Sequence, residues 1–455
     1  MNLHEYDKMS KESILKYAQK FVDKSLRDVL GINTCEEINK KILKYKGRRK
    51  GFFGDLVEEY IFGISNNNYA QADFKEAGVE LKTTAIRQLK SKKYSPKDRL
   101  TLSMIDYMTV INENWETSSF LEKNKLLLIM FYLYEEKQNL LEYKFKIVEL
   151  LNLLSHISNA DLAQIQQDWE KIVNKIRRGE AHLLSEGDTL YLGAAPKASN
   201  SKSRRSQPNS IIDAKPRAFS LKTTYLNYLI QKFIGKEYTY SSLLNNKTLP
   251  LTVEENINKR FESYLNKTNY EIEKELGIEY IDRPKNHRRL LINKLLGATS
   301  NKIEEFEKAN ITLRVIALEK NGRLIESISF PIFKYKEIVK QIWEESDFYR
   351  QLSEKKFLFV VFQKTDKDYD ILKKVQFWNF PMKDINSVKW VWKETVKRIK
   401  NKKANKLPTI KENIISHVRP HGRNGEDKID TGYGTLEVKK CFWLNAKYIQ
   451  KQLEE

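Results

Sequence analysis

Apolar residues early in the chain recur at helical spacing. Ile14, Tyr17, Phe21 and Leu26 lie on one stripe between about Ser10 and Leu43, which predicts an amphipathic helical start. A basic run, Lys44 to Lys50, leads into Gly51-Phe52-Phe53-Gly54-Asp55-Leu56-Val57-Glu58-Glu59-Tyr60-Ile61-Phe62-Gly63, a second helix closed by glycine in the usual C-terminal role. Val79-Glu80-Leu81-Lys82-Thr83 reads as a strand, with Asp73 on the turn or strand before it, and Arg99 to Met104 reads as another strand. Trp115-Glu116-Thr117-Ser118 precedes a continuous apolar run, Leu126 to Tyr134, bracketed by Lys123, Lys125 and Glu135; such a run predicts a strand buried in a sheet core. Ala163 to Ile176 is helical, and the Ser-, Lys-, Arg- and Pro-rich stretch from Ala194 to Pro216 predicts a long mobile basic loop.

The pattern then repeats imperfectly. Lys24 to Ile32 has a counterpart ending Lys274-Glu275-Leu276-Gly277-Ile278, and Ile61-Phe62-Gly63 one in Leu295-Leu296-Gly297. Trp115-Glu116-Thr117-Ser118 and its apolar run match Trp343-Glu344-Glu345-Ser346 and Phe357 to Phe362. Asp168 to Val173 resembles Val391 to Val396, and Ala195-Pro196-Lys197 with Phe219 to Lys222 resembles Arg419-Pro420-His421 with Phe442 to Asn445. Because the matches keep one order, the chain is read as two α/β copies: residues 1–235, a junction at 236–252, and residues 253–455.

Composition narrows the function. The 455 residues are 40% hydrophobic and 31% charged, with no apolar run long enough to span a bilayer and no signal-peptide layout, so a cytoplasmic protein is expected. Cys35 and Cys441 are far apart and the six histidines are scattered, which argues against a disulfide framework or a zinc site. The 81 Lys+Arg against 60 Asp+Glu leave a formal charge of +21. That surplus favours a polyanionic partner, with nucleic acid first and an anionic membrane second. An AT-rich genome could equally leave a protein this basic without any such partner.

Candidate chemistry centres on Asp73 to Lys82. Side chains two apart on a strand share a face, so Glu80 and Lys82 stand side by side, within reach of Asp73. Two carboxylates and an ammonium suit Mg²⁺ and a phosphodiester: Asp73 and Glu80 as metal ligands, Lys82 beside the attacking water or the phosphate. A solvated hairpin face with an incidental Glu–Lys pair is the bland alternative. The second copy serves as a control. There Asp73 falls on Glu305, Glu80 on Thr312, Lys82 on Arg314 and Glu58 on Ile292, which predicts a catalytic set in the first copy and a dead site in the second.

Lys50-Gly51-Phe52-Phe53-Gly54 through Glu58, then Asp73, then Ala77-Gly78-Val79-Glu80-Leu81-Lys82-Thr83 resemble the MutH branch of the PD-(D/E)xK nucleases. Trp115 to Ser118 with Lys123, Asp168-Trp169-Glu170, and Pro196 to Lys202 follow in that family's order. The tandem, degenerate second copy resembles the GATC-cutting type II restriction endonucleases of this group. The resemblance implies a restriction-endonuclease-like mixed sheet flanked by helices, and Mg²⁺-dependent cleavage of duplex DNA at GATC, before G. It carries over Glu58, Asp73, Glu80 and Lys82 as the catalytic set and Lys123 as a further active-site lysine. Lys197 carries over as a DNA-reading residue, through guanine O6 and N7 or through a phosphate. The remaining DNA-contact candidates are Lys202, Arg204 and Arg205 beside it, and Arg419 and His421 in the second copy.

Three positions depart from the family pattern. Ala72 stands where a proline precedes the aspartate, Ala195 where mismatch-repair members have arginine, and Ser220 where they have a tyrosine tied to sensing adenine methylation. One active site per chain implies two chains meeting on a palindrome, or one chain nicking twice. A mismatch-repair-type nicking enzyme, a non-catalytic DNA-binding protein and an RNA-binding protein are the competing readings.

Overall fold

The computed structural model describes residues 3–44, 51–64, 71–198, 200, 202–235, 241–243, 251–279, 284, 286–299, 302–367 and 369–454. The predicted basic connection at 45–50 and most of the predicted junction at 236–252 lie outside the described residues. The chain divides into two compact units, one formed mainly by the segment up to Leu184 and that following Thr189, the other mainly from Val253 onward.

The first unit opens with α1 (Lys11–Gln19), α2 (Leu26–Val29) and α3 (Ile32–Lys44). The helical stripe expected from Ser10 to Leu43 is therefore interrupted. Ser10 caps α1 through Ser13 N at 3.2 Å. The chain leaves the helix where Val22 bridges to Phe145 and Asp23 takes φ 63, and Ser25 restarts it with a capping box to Asp28. Ile14, Tyr17, Phe21 and Leu26 are all buried. The helix expected from Gly51 to Gly63 is α4 (Phe52–Leu56), continued by a π-helical turn, Val57–Phe62. Ile64 N donates to Glu58 O at 2.9 Å as that turn closes. Gly54 allows close approach to the sheet, because a Cβ there would sit 3.0 Å from Thr83 Oγ1.

Next come β1 (Glu80–Gln88), β2 (Tyr94–Pro96), β3 (Leu100–Met104), α5 (Ser119–Asn124), β4 (Leu126–Leu133), β5 (Phe145–Asn152) and α6 (Asn159–Arg177). The main sheet is ordered β2-β1-β4-β5, with β1 parallel to β4 and the other pairs antiparallel. Glu80 pairs with Leu127 and Lys82 with Ile129. Leu126 to Phe131 are buried without interruption, as a strand covered on both faces requires. Leu81, Leu128 and Met130 pack with Ile14, Phe53, Phe62 and Phe74, so alternation turns Glu80 and Lys82 to the opposite face.

The unit ends with β6 (Leu192–Pro196), β7 (Arg205–Gln207), β8 (Ser210–Ala214), β9 (Arg217–Leu221) and α7 (Thr223–Phe233). Strands β3-β9-β6 form a second sheet and β7-β8 a hairpin. The long loop expected from Ala194 to Pro216 is thus corrected: strand and hairpin occupy much of it. Polar composition hid the hairpin because its interior contact is polar. Gln207 is buried and accepts from Ala181 N at 2.7 Å, and Asn209 takes φ 57 at the turn.

The second unit comprises α8 (Val253–Glu262), α9 (Asn269–Glu275), α10 (His287–Leu295), α11 (Glu304–Ala309), β10 (Ile311–Leu318), β11 (Ile328–Ile332), α12 (Tyr335–Ile338), α13 (Asp347–Ser353), β12 (Lys356–Lys364) and β13 (Asp370–Trp378). It continues through α14 (Ile385–Lys400), β14 (Ser416–Pro420), β15 (Lys428–Asp430), β16 (Leu436–Val438), β17 (Lys440–Leu444) and α15 (Ala446–Glu454). Its sheets are β10-β12-β13, with β10 parallel to β12, and β11-β17-β14, beside the hairpin β15-β16. The same small device starts the helix before the central strand in each unit. Ser118 Oγ donates to Trp115 O at 2.7 Å and accepts from Leu121 N at 3.2 Å; Ser346 Oγ donates to Trp343 O at 2.8 Å and accepts from Tyr349 N at 3.2 Å. No helix among the described residues is long and apolar enough to cross a membrane.

Candidate active site

A tight turn builds the centre of the site. Phe74 and Val79 exchange backbone hydrogen bonds of 2.9 and 3.2 Å, and Gly78, at φ 64, donates to Lys75 O at 3.2 Å. The left-handed backbone at Gly78 is disfavoured for any residue with a Cβ. The turn sets Asp73 beside the start of β1. Asp73 N donates to Glu80 Oε2 at 3.2 Å, and Leu81 N donates to Asp73 Oδ2 at 2.9 Å. Each acid is thereby held by the other's backbone segment.

Lys82 donates to Glu80 Oε1. Lys123, from α5, brings its ammonium to 3.6 Å from the same oxygen. Glu58 joins from the π-helical turn. Burial and the Asp73 carboxylate push its pKa up to about 7, with Lys82 acting in the opposite direction. Glu80 is 2% exposed, and burial raises its pKa against the pull of Lys82. Glu58, Asp73, Glu80, Lys82 and Lys123 are therefore within one electrostatic neighbourhood.

The donor chemistry fits a hard divalent cation. Burial first, and then the neighbouring Asp73 carboxylate, raises the pKa of Glu58 and of Glu80, and a cation would relieve the carboxylate repulsion. No three acidic, histidine or cysteine side chains among the described residues converge on one point. Asp73 and Glu80 are the acids that would hold such a cation, as hard oxygen donors.

The DNA-contact candidates lie elsewhere. Lys197 is exposed just beyond β6, its N–H donating to Pro216 O at 2.9 Å. Lys202 and Arg204 are exposed ahead of β7, which Arg205 begins; Ser199 and Ser201 lie outside the described residues. Ala195 and Ser220 are buried within the paired strands β6 and β9. In the second unit, Arg419 on β14 lays its guanidinium 3.7 Å from the Trp443 ring centroid, and His421 meets that ring edge-on at 5.1 Å.

The counterparts of the acids are rebuilt. Thr312 pairs with Phe357 and Arg314 with Phe359 on parallel strands, and Ile292 is fully buried on α10. Glu305, aligned with Asp73, keeps its carboxylate but in different local structure. It sits in α11, buried, accepting from Ser242 Oγ at 2.7 Å and Leu243 N at 3.1 Å. Sequence pattern gave no role to Asp168. It is fully buried on α6 and accepts from the N–H groups of Leu190, Tyr191 and Leu192, anchoring the entry to β6, the strand that leads to Lys197. Its place in the Asp168-Trp169-Glu170 segment, and a charge at a helical core position, were the signals for it.

A family model for the DNA mismatch repair enzyme MutH matches residues 62–168 and again 296–390. The chain is 32% identical to the type II restriction enzyme Sau3AI of Staphylococcus aureus over 497 aligned residues, covering 98% of this chain and 99% of that enzyme. The DNA mismatch repair proteins MutH of Shewanella sp. (strain MR-7) and Shewanella baltica (strain OS155 / ATCC BAA-1091) are each 27% identical over 191 residues, 41% of this chain and 82% of theirs. The chain belongs to the MutH-like type II restriction endonucleases, and its mixed sheets with flanking helices fit the restriction-endonuclease-like α/β fold.

Proposed function

We propose that this protein makes double-strand cuts in duplex DNA at GATC, before G, by Mg²⁺-dependent phosphodiester hydrolysis in the cytoplasm. In this reading residues 1–235 cut. Residues 253–455 are a tandem, degenerate copy that binds DNA as an effector without cutting. The observation that carries it is the contrast between Glu80, paired with Lys82 and Lys123 beside Asp73, and Thr312 with Arg314 on the corresponding strand. The near full-length likeness to Sau3AI supports the restriction role.

Asp73 and Glu80 hold the cation, which when bound stabilises charge on the phosphate and acidifies a water. Lys82 and Lys123 act against the burial that raises the Glu80 pKa and offer positive charge to the phosphate. Glu58, poised near neutrality, can take up a proton at the site's edge. Lys197, Lys202, Arg204 and Arg205 engage the duplex from the first unit, Arg419 and His421 from the second.

The test is incubation with GATC-containing and GATC-free duplexes, with and without Mg²⁺, followed by end sequencing. Ends before G at GATC, formed only with the metal, are expected; cutting of the GATC-free duplex sinks the specificity. With one active site per chain, the palindrome is cut by two chains meeting on it rather than by one chain nicking twice, and the second copies engage another site to promote that meeting. A plasmid with two GATC sites should therefore be cut faster than one with a single site. Equal rates would remove the effector role.

A further inference from the structure

Glu58 stands on a turn whose far end is held by another part of the chain. The π-helical turn Val57–Phe62 closes back on Glu58, whose carbonyl accepts from Gly63 N and, at 2.9 Å, from Ile64 N. The carbonyls of Ile61, Phe62 and Gly63 lie at the end of this turn, where helical donors run out. Three side chains from the start of the chain replace those donors. Tyr17 Oη donates to Ile61 O at 2.8 Å, Tyr6 Oη to Phe62 O at 2.7 Å and Lys8 Nζ to Gly63 O at 3.0 Å. The Tyr17 hydroxyl also accepts from His4 N at 3.1 Å. Burial raises the pKa of both phenols, which keeps them donors.

The same rings tie the turn to the second acid. Tyr6 stacks on Tyr17 with centroids 4.2 Å apart, and meets Phe62 at 5.9 Å and Phe74 at 6.2 Å edge-on. Phe62 and Phe74 also touch, at 5.7 Å, and Phe74 follows Asp73 into the tight turn that closes on Val79. Phenylalanine at both positions would keep this packing; only the hydroxyls reach the carbonyls. A π-helical turn is a rare geometry, and here it is anchored from outside. We propose that Tyr6 and Tyr17 are positioning residues, whose hydroxyls hold the end of the π-helical turn and so set the Glu58 carboxylate against Asp73. The inference rests on the reading above that Glu58 and Asp73 serve phosphodiester cleavage.

The experiment uses the full chain and compares Tyr17→Phe and Tyr6→Phe, each alone and combined with Glu58→Gln. Cleavage of a GATC duplex with Mg²⁺ gives kcat and KM, and hydrogen exchange at the Gly63 and Ile64 amides reads the turn without DNA. In Tyr17→Phe kcat should fall about 10- to 100-fold at unchanged KM, the loss that a small misplacement brings. The Gly63 and Ile64 amides should exchange faster than in the parent. Tyr17→Phe with Glu58→Gln should cut no slower than Glu58→Gln alone, because the hydroxyl acts through that carboxylate. A loss by the same factor in both backgrounds assigns the tyrosine to general folding and overturns the inference. Unchanged kcat in both Tyr→Phe variants overturns it, as does Glu58→Gln cutting at the parental rate. If Tyr17→Phe does not fold, Tyr6→Phe, at a half-buried position, carries the same comparison. The exchange measurement stands apart from the nuclease reading. A parent that cuts no GATC duplex sinks that reading, while faster exchange in the variants still supports the anchoring and unaltered exchange overturns it.

Discussion

Lys82 and Glu80 stand two residues apart on one face of β1, and the Lys82 ammonium donates to Glu80 Oε1 while Lys123 approaches the same oxygen. Glu80 is almost fully buried, and this lysine pair opposes the rise in its pKa that burial causes. The relationship couples stability to chemistry at one carboxylate.

Lys82→Ala should cut at least about 1,000-fold more slowly while duplex binding is retained, the loss expected when a group stabilising transition-state charge is removed. Leaving Glu80 with Lys123 alone should also cost on the order of 1–3 kcal/mol. Cleavage rates, gel-shift affinity and urea unfolding separate the two effects. Lost binding at intact stability would assign Lys82 to substrate capture instead.

Asp73→Asn distinguishes a ligand from a turn residue. The amide oxygen can still accept from Leu81 N, as Asp73 Oδ2 does at 2.9 Å, so the melting temperature should hold within a few degrees. The lost negative charge should abolish Mg²⁺-dependent cutting and weaken Mg²⁺ binding measured by calorimetry. Undiminished cleavage would remove Asp73 from the metal set.

Glu58 gives a pH signature in the metal-free protein. Its pKa rises from 4.5 to about 7 on folding, so across that window the folded chain keeps a proton that the unfolded chain releases. Stability therefore falls as pH rises through the window. Glu58→Gln removes this dependence: matched to the parent near pH 5, it should be more stable at pH 8 by on the order of 1–2 kcal/mol, allowing for partial exposure. Saturating Mg²⁺ should narrow the difference. Parallel stability curves from pH 5 to 8 would contradict the assignment.

Asp168→Ala should destabilise the chain by about 3–5 kcal/mol, because three backbone N–H groups and Gln164 lose their buried acceptor. Asn cannot restore it fully, since its amide end is a donor facing donors. Chemical denaturation of both variants tests this; a loss within 1 kcal/mol would mean water replaces the acceptor.

Much of the candidate site's geometry was legible because its spacing is short. Glu80 and Lys82 are bound to share a face by strand alternation, and Asp73 lies one turn away. The continuous run at Leu126 to Tyr134 announced its own burial. Polar segments were less legible. The hairpin of β7 and β8 rests on a buried Gln207, which no hydrophobic count registers. The split of the first helical stretch depends on Val22 pairing with Phe145, a partner more than a hundred positions away.

The sequence by itself determined which residues carry charge and which elements carry them, because periodicity and short turns are local. It also determined the asymmetry of the two halves, since Thr312 and Arg314 replace Glu80 and Lys82. Tertiary structure alone decided what those charges meet. Lys123 reaches Glu80 only because α5 leads into the strand paired with β1, and Glu58 reaches the site only through a π-helical turn packed at Gly54. Glu305 remains acidic yet faces Ser242 and Leu243, because a helix stands where the first unit has a tight turn. Burial and long-range pairing set each group's charge state, and neither is written in local spacing.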